Sequence, residues 1–284
     1  MNTSTVKSNL NATYTVNLIR LTQNSPVGQS SIWVLVEGDD DCKIYPKFFQ
    51  QGKCSVEQVH GGCSQLEIAI EKLQQYANRI IGIRDADFCH ITQSYAQYDN
   101  LFYTDYHDIE MTMLYNDTVF ENILYEYSLQ TESAQIKQNI LLESSFVGYI
   151  RYYNEVNNCS INFSGFTFGN AVNLSNNNLH LQKSLCMQDL NQRSPNKTIA
   201  IDETVMKPFI SLNPIGELYQ LVNGHDFIKL LALRINFQIT RGITDKDVSK
   251  SLRNSYRIDD FKRTKLYNDL LRWQKANNHD ILIP

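Results

Sequence analysis

The first 115 residues alternate short apolar runs with stretches of helical periodicity. Residues 31–36, SIWVLV, are apolar and β-branched and stop at the acidic segment EGDDD, which predicts a buried strand leading into a loop. Three further strands are predicted at residues 54–60, 79–87 and 101–105. Apolar positions at helical spacing predict helices at residues 40–50 and 64–76. Because strand and helix alternate, we expect an α/β fold with a mostly parallel sheet and flanking helices.

The alternation fades after about residue 115, where longer helical patterns take over. These patterns predict helices at residues 117–129, 134–156, 214–236, 244–253 and 259–275. Between them lies a stretch rich in Asn, Ser and Gly, centred on NLSNNN, with short strands predicted at INFSGFTF and near TIAI. We therefore expect an α/β domain over residues 1–115 and a mainly helical domain over residues 116–284, with a loop-rich insert near residues 157–200.

Composition limits the classes of protein that this chain can belong to. The 284 residues are 42% hydrophobic, which is enough for a substantial core. With 26 basic and 30 acidic side chains the net charge is −4, so any contact with a polynucleotide must be local. The N-terminal sequence lacks the apolar core of a signal peptide, and no segment approaches the ~18 apolar residues of a membrane span. We therefore expect a soluble protein of the cytoplasm that has no contact with a membrane.

Acidic residues stand at the ends of two predicted strands. Glu37 follows the first strand, and Asp85 and Asp87 close the third. In open α/β sheets functional groups gather at the carboxyl ends of strands, and residues two apart in extended backbone point to the same side. Three carboxylates in one crevice repel one another unless they share a hard cation such as Mg²⁺ or Mn²⁺. The alternative is a set of helix caps and solvated loop charges, but the complete order of strand-Glu-Gly and strand-DxD favours a metal site.

Two segments of the chain carry a resemblance to a known superfamily. VLVEGDDDCKIYPKFF followed by IIGIRDADF resembles the TOPRIM signature shared by topoisomerases, primases and overcoming-lysogenization-defect (OLD) nucleases. The segments VEGDDDCKIY, GGCS, TDYHDIEMTML and NGHDFIKLLAL are similar to a bacterial family of stand-alone TOPRIM proteins. That family is found beside ATP-binding-cassette (ABC) ATPases in two-component anti-phage systems of the PARIS type, whose TOPRIM effector attacks host tRNA when released.

The resemblance implies a toxic, Mg²⁺-dependent endonuclease of antiviral defence. Its substrate would be nucleic acid, with tRNA favoured and DNA as the alternative, and its partners an ABC-type ATPase that restrains it and a second copy of the chain when active. Glu37 matches the TOPRIM glutamate, expected to act as general acid/base or metal ligand. Asp85 and Asp87 match the metal-binding DxD pair.

Two more carboxylates match acidic positions of the stand-alone family. Asp41 belongs to the VEGxxD run and is either a metal ligand or a first-turn helix charge. Glu110 in HDIEMTML matches an acidic helix start and is a further candidate ligand. Asp108 lies two residues earlier and would face elsewhere on a helix, so only one of the two is expected to reach the site.

Other polar residues carry weaker signals. His107 could contact a phosphate, although a lone histidine is more often a surface or cap residue. His225 and Asp226 match a motif of the family's helical half, and a helix cap at Asp226 explains it equally well. Tyrosines could stack on bases, but packing is their commoner role. The segment 246–275 is locally basic and forms either a solvated helical face, which is favoured, or a strip that faces phosphates or contacts an acidic partner.

Three functions remain open at this stage. The first is the metal-dependent endonuclease just described. The second is a non-catalytic sensor or scaffold that uses a TOPRIM-like fold to bind a partner protein or nucleotide. The third, primase-like nucleotidyl transfer, requires a nucleotide pocket that the sequence does not reveal, and no Walker-type phosphate loop supports an intrinsic ATPase.

Overall fold

The computed structural model describes residues 11–239 and 242–284. The chain divides into two compact units. The first comprises the described part of Met1–Ala86 with Gln93–Asp105 and Tyr256–Pro284, and the second comprises Asp87–Thr92 with the described part of Tyr106–Ser255. The compact units do not follow the predicted division at residue 115: residues 87–92 and 106–115 lie in the second unit, and the last 29 residues of the chain, 256–284, lie in the first. The domain assignment itself stays a prediction. The first ten residues, which the signal-peptide argument used, lie outside the described part.

Four parallel strands form the sheet of the first unit, in the order β2-β1-β3-β4. Their bounds are β1 Ile32–Val36, β2 Cys54–Gln58, β3 Ile80–Arg84 and β4 Leu101–Tyr103. All five residues of β1 are buried, as expected for a central strand with neighbours on both sides. The predicted α/β class is confirmed. Because all strands run the same way, the residues that follow β1, β3 and β4 leave from one side of the sheet, which we call the carboxyl edge.

Helices connect and flank these strands and make up most of the second unit. In chain order they are α1 Ala12–Thr22, α2 Pro26–Ser30, α3 Asp41–Ile44, α4 Cys63–Lys72, α5 Cys89–Thr92, α6 Ile109–Tyr115, α7 Asp117–Tyr125, α8 Ser133–Asn157, α9 Lys183–Arg193, α10 Glu203–Leu212, α11 Gly224–Asn236, α12 Asp245–Ser255, α13 Ile258–Phe261 and α14 Lys265–Ala276. Short 3-10 turns occur at Tyr45–Lys47, Gln74–Tyr76, Gln130–Glu132, Gly169–Ala171 and Leu218–Gln220. The expected helical region after the sheet is confirmed. None of the helices in the described residues is long and apolar enough to cross a membrane.

Helix α1 covers part of the sheet although the sequence pattern did not predict it. Its residues Val16 and Ile19 are buried in one core with Leu66 and Ile70 of α4. The Asn11 side chain accepts a hydrogen bond from the Thr13 N–H and caps the helix. The missed prediction has a physical cause: the segment ATYTVNLIRLT contains β-branched residues of modest helix propensity, and packing against α4 stabilises it instead.

The C-terminal segment returns to the first unit through apolar and polar contacts. The ring of Phe48 stacks on that of Phe261 with centroids 4.3 Å apart, and Phe49 forms a β-bridge with Leu282. Asp105, which follows β4, accepts hydrogen bonds from the backbone N–H groups at the start of α14, at 2.6 and 2.8 Å. These contacts join residues far apart in sequence, so periodicity could not reveal them.

The packing of the C-terminal segment gives a first prediction. Leu282 is 3% exposed. Leu282→Ala is expected to lower the free energy of unfolding by about 2 kcal/mol, at the low end for buried leucines because a chain end can relax around the cavity. The control is Leu21→Ala, the same change at a side chain that is 71% exposed, for which we expect less than about 0.5 kcal/mol. Equal urea midpoints for the two variants would contradict the docking of this segment.

The loop-rich region contains a hairpin at a position that differs from the prediction. Strands β5 (Val172–Ser175) and β6 (Asn178–Leu181) pair antiparallel around Asn176 and Asn177, whose φ values are +50° and +61°. The strands predicted at INFSGFTF and near TIAI are wrong, since both segments lack strand structure. Two consecutive residues with positive φ are the requirement of a tight hairpin turn, and asparagine tolerates it. NLSNNN was thus a turn signal with strands directly on either side.

Candidate functional site

Glu37 lies at the carboxyl edge and its side chain is directed at the end of the neighbouring strand. β1 and β3 pair in register through Val36 and Ile83, so the residues after them emerge side by side. The Oε1 atom of Glu37 accepts a hydrogen bond from the Asp85 N–H at 3.1 Å. The Glu37 side chain is 15% exposed. The glutamate after β1 and the first aspartate after β3 thus meet at one edge of the sheet.

Arg84 is a neighbour of Glu37 that the sequence analysis missed. Its Nε atom lies 3.9 Å from the Glu37 carboxylate, and its side chain is 13% exposed. The guanidinium forms an ion pair with Glu67 of α4 and lies over the Tyr103 ring, 5.6 Å from the centroid. A fixed positive charge beside Glu37 attracts its carboxylate and holds it at the edge. An arginine directly before the DxD pair was the signal available in the sequence.

The DxD pair does not continue the strand. β3 ends at Arg84, and Asp87 has a φ of +47°, in the left-handed region. The expectation that Asp85 and Asp87 point to one side of extended backbone is therefore wrong in its premise. Ala86 between them is buried, with its N–H bonded to Thr104 Oγ1 at 2.9 Å. Asp85 belongs to the first unit and Asp87 to the second, and a cation shared by the two stays a prediction.

Asp41 occupies the first turn of α3, as one of its two interpretations required. It is 7% exposed, and its Oδ2 atom accepts a hydrogen bond from the Gly38 N–H at 2.8 Å. This contact closes the turn that follows Glu37 at the end of β1. Asp39 and Asp40 both pair with Lys43, at 2.5 and 2.8 Å. A metal-ligand role for Asp41 stays a prediction.

His107 is a buried residue of the second unit. It is 2% exposed, so the surface or cap interpretation is wrong. Its Nε2 atom lies 3.9 Å from Asp87 Oδ1, and its backbone C=O accepts the Asp87 N–H at 2.7 Å. Burial lowers the pKa of His107, opposed by the attraction of Asp87. Burial therefore favours the neutral imidazole, and the backbone hydrogen bond holds Asp87 beside it.

Asp108 and Glu110 have different environments at the start of α6. Asp108 is the N-cap: its Oδ1 atom accepts the Met111 N–H at 2.8 Å, and its Oδ2 atom accepts the Gly224 N–H at 2.6 Å. Burial raises the pKa of Asp108 to about 6, against the lowering effect of these two hydrogen bonds. Glu110 lies in the first turn and is 5% exposed. Asp108 is committed to capping, which leaves Glu110 as the candidate ligand of the pair.

The close approach of α11 to α6 gives a second prediction. A Cβ atom on Gly224 would lie 2.4 Å from the Glu110 Cβ and 2.5 Å from Asp108 Oδ1. Gly224→Ala is therefore expected to lower the free energy of unfolding by about 1–3 kcal/mol through overpacking. Gly216→Ala is the matched control, because no atom lies within 4 Å of the added methyl group. If chemical denaturation showed the two variants equally stable, the tight contact at Gly224 would be refuted.

Asp226 forms a buried ion pair and is not a helix cap. The N-cap of α11 is Asn223, and Asp226 lies in the first turn with 1% of its surface exposed. Its carboxylate is 2.8 Å from Arg151 Nε and 3.4 Å from Lys229 Nζ. The Arg151 guanidinium also lies over the Phe163 ring, 4.1 Å from its centroid. The cap interpretation is wrong, and the residue stabilises the packing of α8 against α11.

The candidate ligands divide between the two units. Glu37, Asp41 and Asp85 lie in the first, and Asp87 and Glu110 in the second. Among the described residues, no group of three or more His, Cys, Asp or Glu side chains is arranged to hold a metal ion. By donor type and place, Glu37 and Asp85 fit Mg²⁺, which takes one or two protein carboxylates and keeps several waters.

Comparison with known proteins adds no relative to this picture. No family model matches the chain, and no curated protein matches it. The TOPRIM resemblance therefore depends on the motifs at Glu37 and at Asp85 and Asp87 together with the strand order that positions them.

Proposed function

We propose that this chain is a metal-dependent endonuclease of the TOPRIM type that cleaves phosphodiesters in nucleic acid. The observation that carries the proposal is the hydrogen bond from the Asp85 N–H to the Glu37 carboxylate. It connects the ends of two neighbouring parallel strands at the edge where α/β sheets bind ligands. The same two residues are those that match the glutamate and the DxD of the TOPRIM signature.

Each residue has a distinct task in this proposal. Asp85 and Asp87 would hold the cation, and Glu37 would assist in binding it or transfer a proton. The ion would supply an activated water and stabilise charge on the phosphate. Arg84 keeps the Glu37 carboxylate in place at the edge, from 3.9 Å. Asp41 orders the turn after Glu37, and Glu110 is a further candidate ligand.

The proposed substrate, partners and location come from the motif resemblance. RNA, and specifically tRNA, is the favoured substrate, with DNA as the alternative. An ABC-type ATPase would restrain the nuclease, and a homodimer would be the active form. The setting would be the cytoplasm, with toxicity in antiviral defence as the biological outcome.

The direct test is cleavage of nucleic acid by the purified protein. Total tRNA and plasmid DNA are each incubated with Mg²⁺, Mn²⁺ or a chelator, and the products are separated by gel electrophoresis. We expect fragments of one of the two substrates only when a divalent ion is present. Cleavage that persists in chelator, or intact substrate under every condition at micromolar enzyme, would refute the proposal.

A second candidate, a non-catalytic sensor or scaffold, is favoured by the environment of Glu37. Arg84 and the Asp85 N–H already satisfy this carboxylate in part, as expected for a structural glutamate. Calorimetric titration with Mn²⁺ separates the two candidates. Binding that disappears in a Glu37→Gln variant favours the nuclease, whereas lack of binding by the wild type favours the scaffold.

A further inference from the structure

Three basic residues lie within seven positions of one another in the sequence, where the chain returns to the first unit. Arg257 precedes α13, and Lys262 and Arg263 follow it in the turn before α14. Arg257 and Arg263 are exposed and Lys262 is half-buried. None of the three has a carboxylate of a described residue within the 4.0 Å of an ion pair. We call these three residues the basic turn.

The basic turn is hydrogen-bonded on both sides to segments that follow strands of the sheet. On one side, Asp105 follows β4 and accepts the N–H groups of Lys265 and Leu266. On the other, the Tyr256 C=O accepts a hydrogen bond from Lys47 Nζ at 2.6 Å. Lys47 ends the 3-10 turn that continues α3, the element after the Glu37 loop. Both ends of the basic turn are thus tied to segments that leave the sheet where Glu37 and Asp85 lie.

Asp105, Asp260 and Asp269 of the same region are engaged with the backbone or with other cations, whereas Asp259 is not so engaged with any described residue. The Asp260 carboxylate accepts the Arg257 N–H at 2.9 Å, and Asp105 caps α14 as described. Lys265 pairs with Asp269 at 2.6 Å, and Asp259 is exposed on α13. Burial and then the charge of Arg257 lower the pKa of Lys47, while Asp260 opposes them. Lys47 and Arg257 are therefore held close enough to repel each other, an arrangement that an anion would relieve.

We propose that the basic turn of Arg257, Lys262 and Arg263 binds the phosphate backbone of a polynucleotide and presents it at the carboxyl edge. The inference deepens the proposed function, on which it rests for the identity of the ligand. A chain of net charge −4 repels a polyanion in general and needs a local cluster of this kind to hold one. Each phosphate contact contributes affinity that depends on salt and not on sequence.

The test measures binding separately from cleavage. The full chain is titrated in chelator against fluorescently labelled bulk tRNA and against a short DNA duplex, at several salt concentrations. One variant combines Arg257→Gln, Lys262→Gln and Arg263→Gln. The control combines Arg20→Gln, Lys53→Gln and Lys72→Gln, which removes the same charge at the opposite edge: Lys53 precedes β2, and Arg20 bonds the Lys72 C=O at the end of α4.

For the better bound of the two nucleic acids, we expect the basic-turn variant to bind at least tenfold more weakly than wild type in low salt. Its slope of log affinity against log salt should fall by about 2 to 3, because three phosphate contacts are lost. The control should change affinity by less than twofold. An equal loss of affinity in the two variants would show that only net charge matters and would overturn the proposal. Wild-type protein that binds neither nucleic acid would also overturn it.

The proposed function and the basic turn can fail separately. If the wild-type protein binds nucleic acid through the basic turn but does not cleave it with Mg²⁺ or Mn²⁺, the proposed nuclease function is refuted and the binding surface stands. If the wild-type protein cleaves and the basic-turn variant binds and cleaves as the control variant does, the binding surface is refuted and the proposed nuclease function stands. Thermal melting of each variant confirms that a loss of binding does not come from unfolding.

Discussion

Glu37→Gln is expected to reduce metal-dependent cleavage about 10³-fold or more, because one carboxylate supplies both metal affinity and proton transfer. The substitution is nearly isosteric. The amide oxygen of glutamine can still accept the Asp85 N–H that Glu37 accepts at 3.1 Å, so the sheet edge should keep its conformation. What disappears is the negative charge. The fold should therefore survive while activity does not, as judged by unfolding curves beside initial cleavage rates.

A neighbouring aspartate provides the control for this prediction. Asp39→Asn removes one negative charge from the same EGDDD loop, but the Asp39 side chain is 74% exposed and pairs with Lys43. The cleavage rate of this variant should stay within about threefold of the wild-type rate, since exposed ion pairs contribute little to stability. A Glu37→Gln protein that cleaves at the rate of Asp39→Asn would eliminate Glu37 as a functional residue. Cleavage by Glu37→Gln is also measured in excess Mn²⁺, and recovery of the rate there would show that the substitution weakened only metal binding.

The alternation of apolar runs and helical stretches was sufficient to predict the sheet. Residues 31–36, 54–60, 79–87 and 101–105 each contain one strand of the structure. The signal was strong for β1 and β3 because buried parallel strands are continuous apolar runs, and the ends of these two are marked by acidic residues. The same alternation placed Glu37 and Asp85 at one edge, where the structure has them in contact.

Features that depend on long-range contacts escaped the sequence. The stacking of Phe48 on Phe261 and the capping of α14 by Asp105 join residues more than 150 positions apart, so the return of the C-terminal segment could not be read from local patterns.

The left-handed backbone at Asp87 has a local cause, which is the turn that links β3 to α5. A pattern of residue types two apart predicts the direction of side chains only while the strand continues.

Arg151→Met is expected to lower the free energy of unfolding by about 3 kcal/mol, because it leaves a buried carboxylate without its main partner. Asp226 is 1% exposed, and its closest cation is Arg151 at 2.8 Å. Lys229 is farther away, at 3.4 Å, and can compensate only in part. Methionine retains most of the apolar contact that the arginine side chain makes with Phe163. The loss should therefore come from charge and not from packing.

Two further variants separate a structural from a functional role of Asp226. Lys207→Met breaks the exposed pair of Lys207 with Glu203 in the same unit and should change the stability by less than about 0.5 kcal/mol. Adding Asp226→Asn to Arg151→Met should restore at least about 1 kcal/mol, because the unpaired charge is then absent. If the double variant were less stable than Arg151→Met, the buried pair would not be the source of the loss. If Arg151→Met were as stable as wild type and only activity fell, Asp226 would belong to the functional site, as one of its two interpretations predicted.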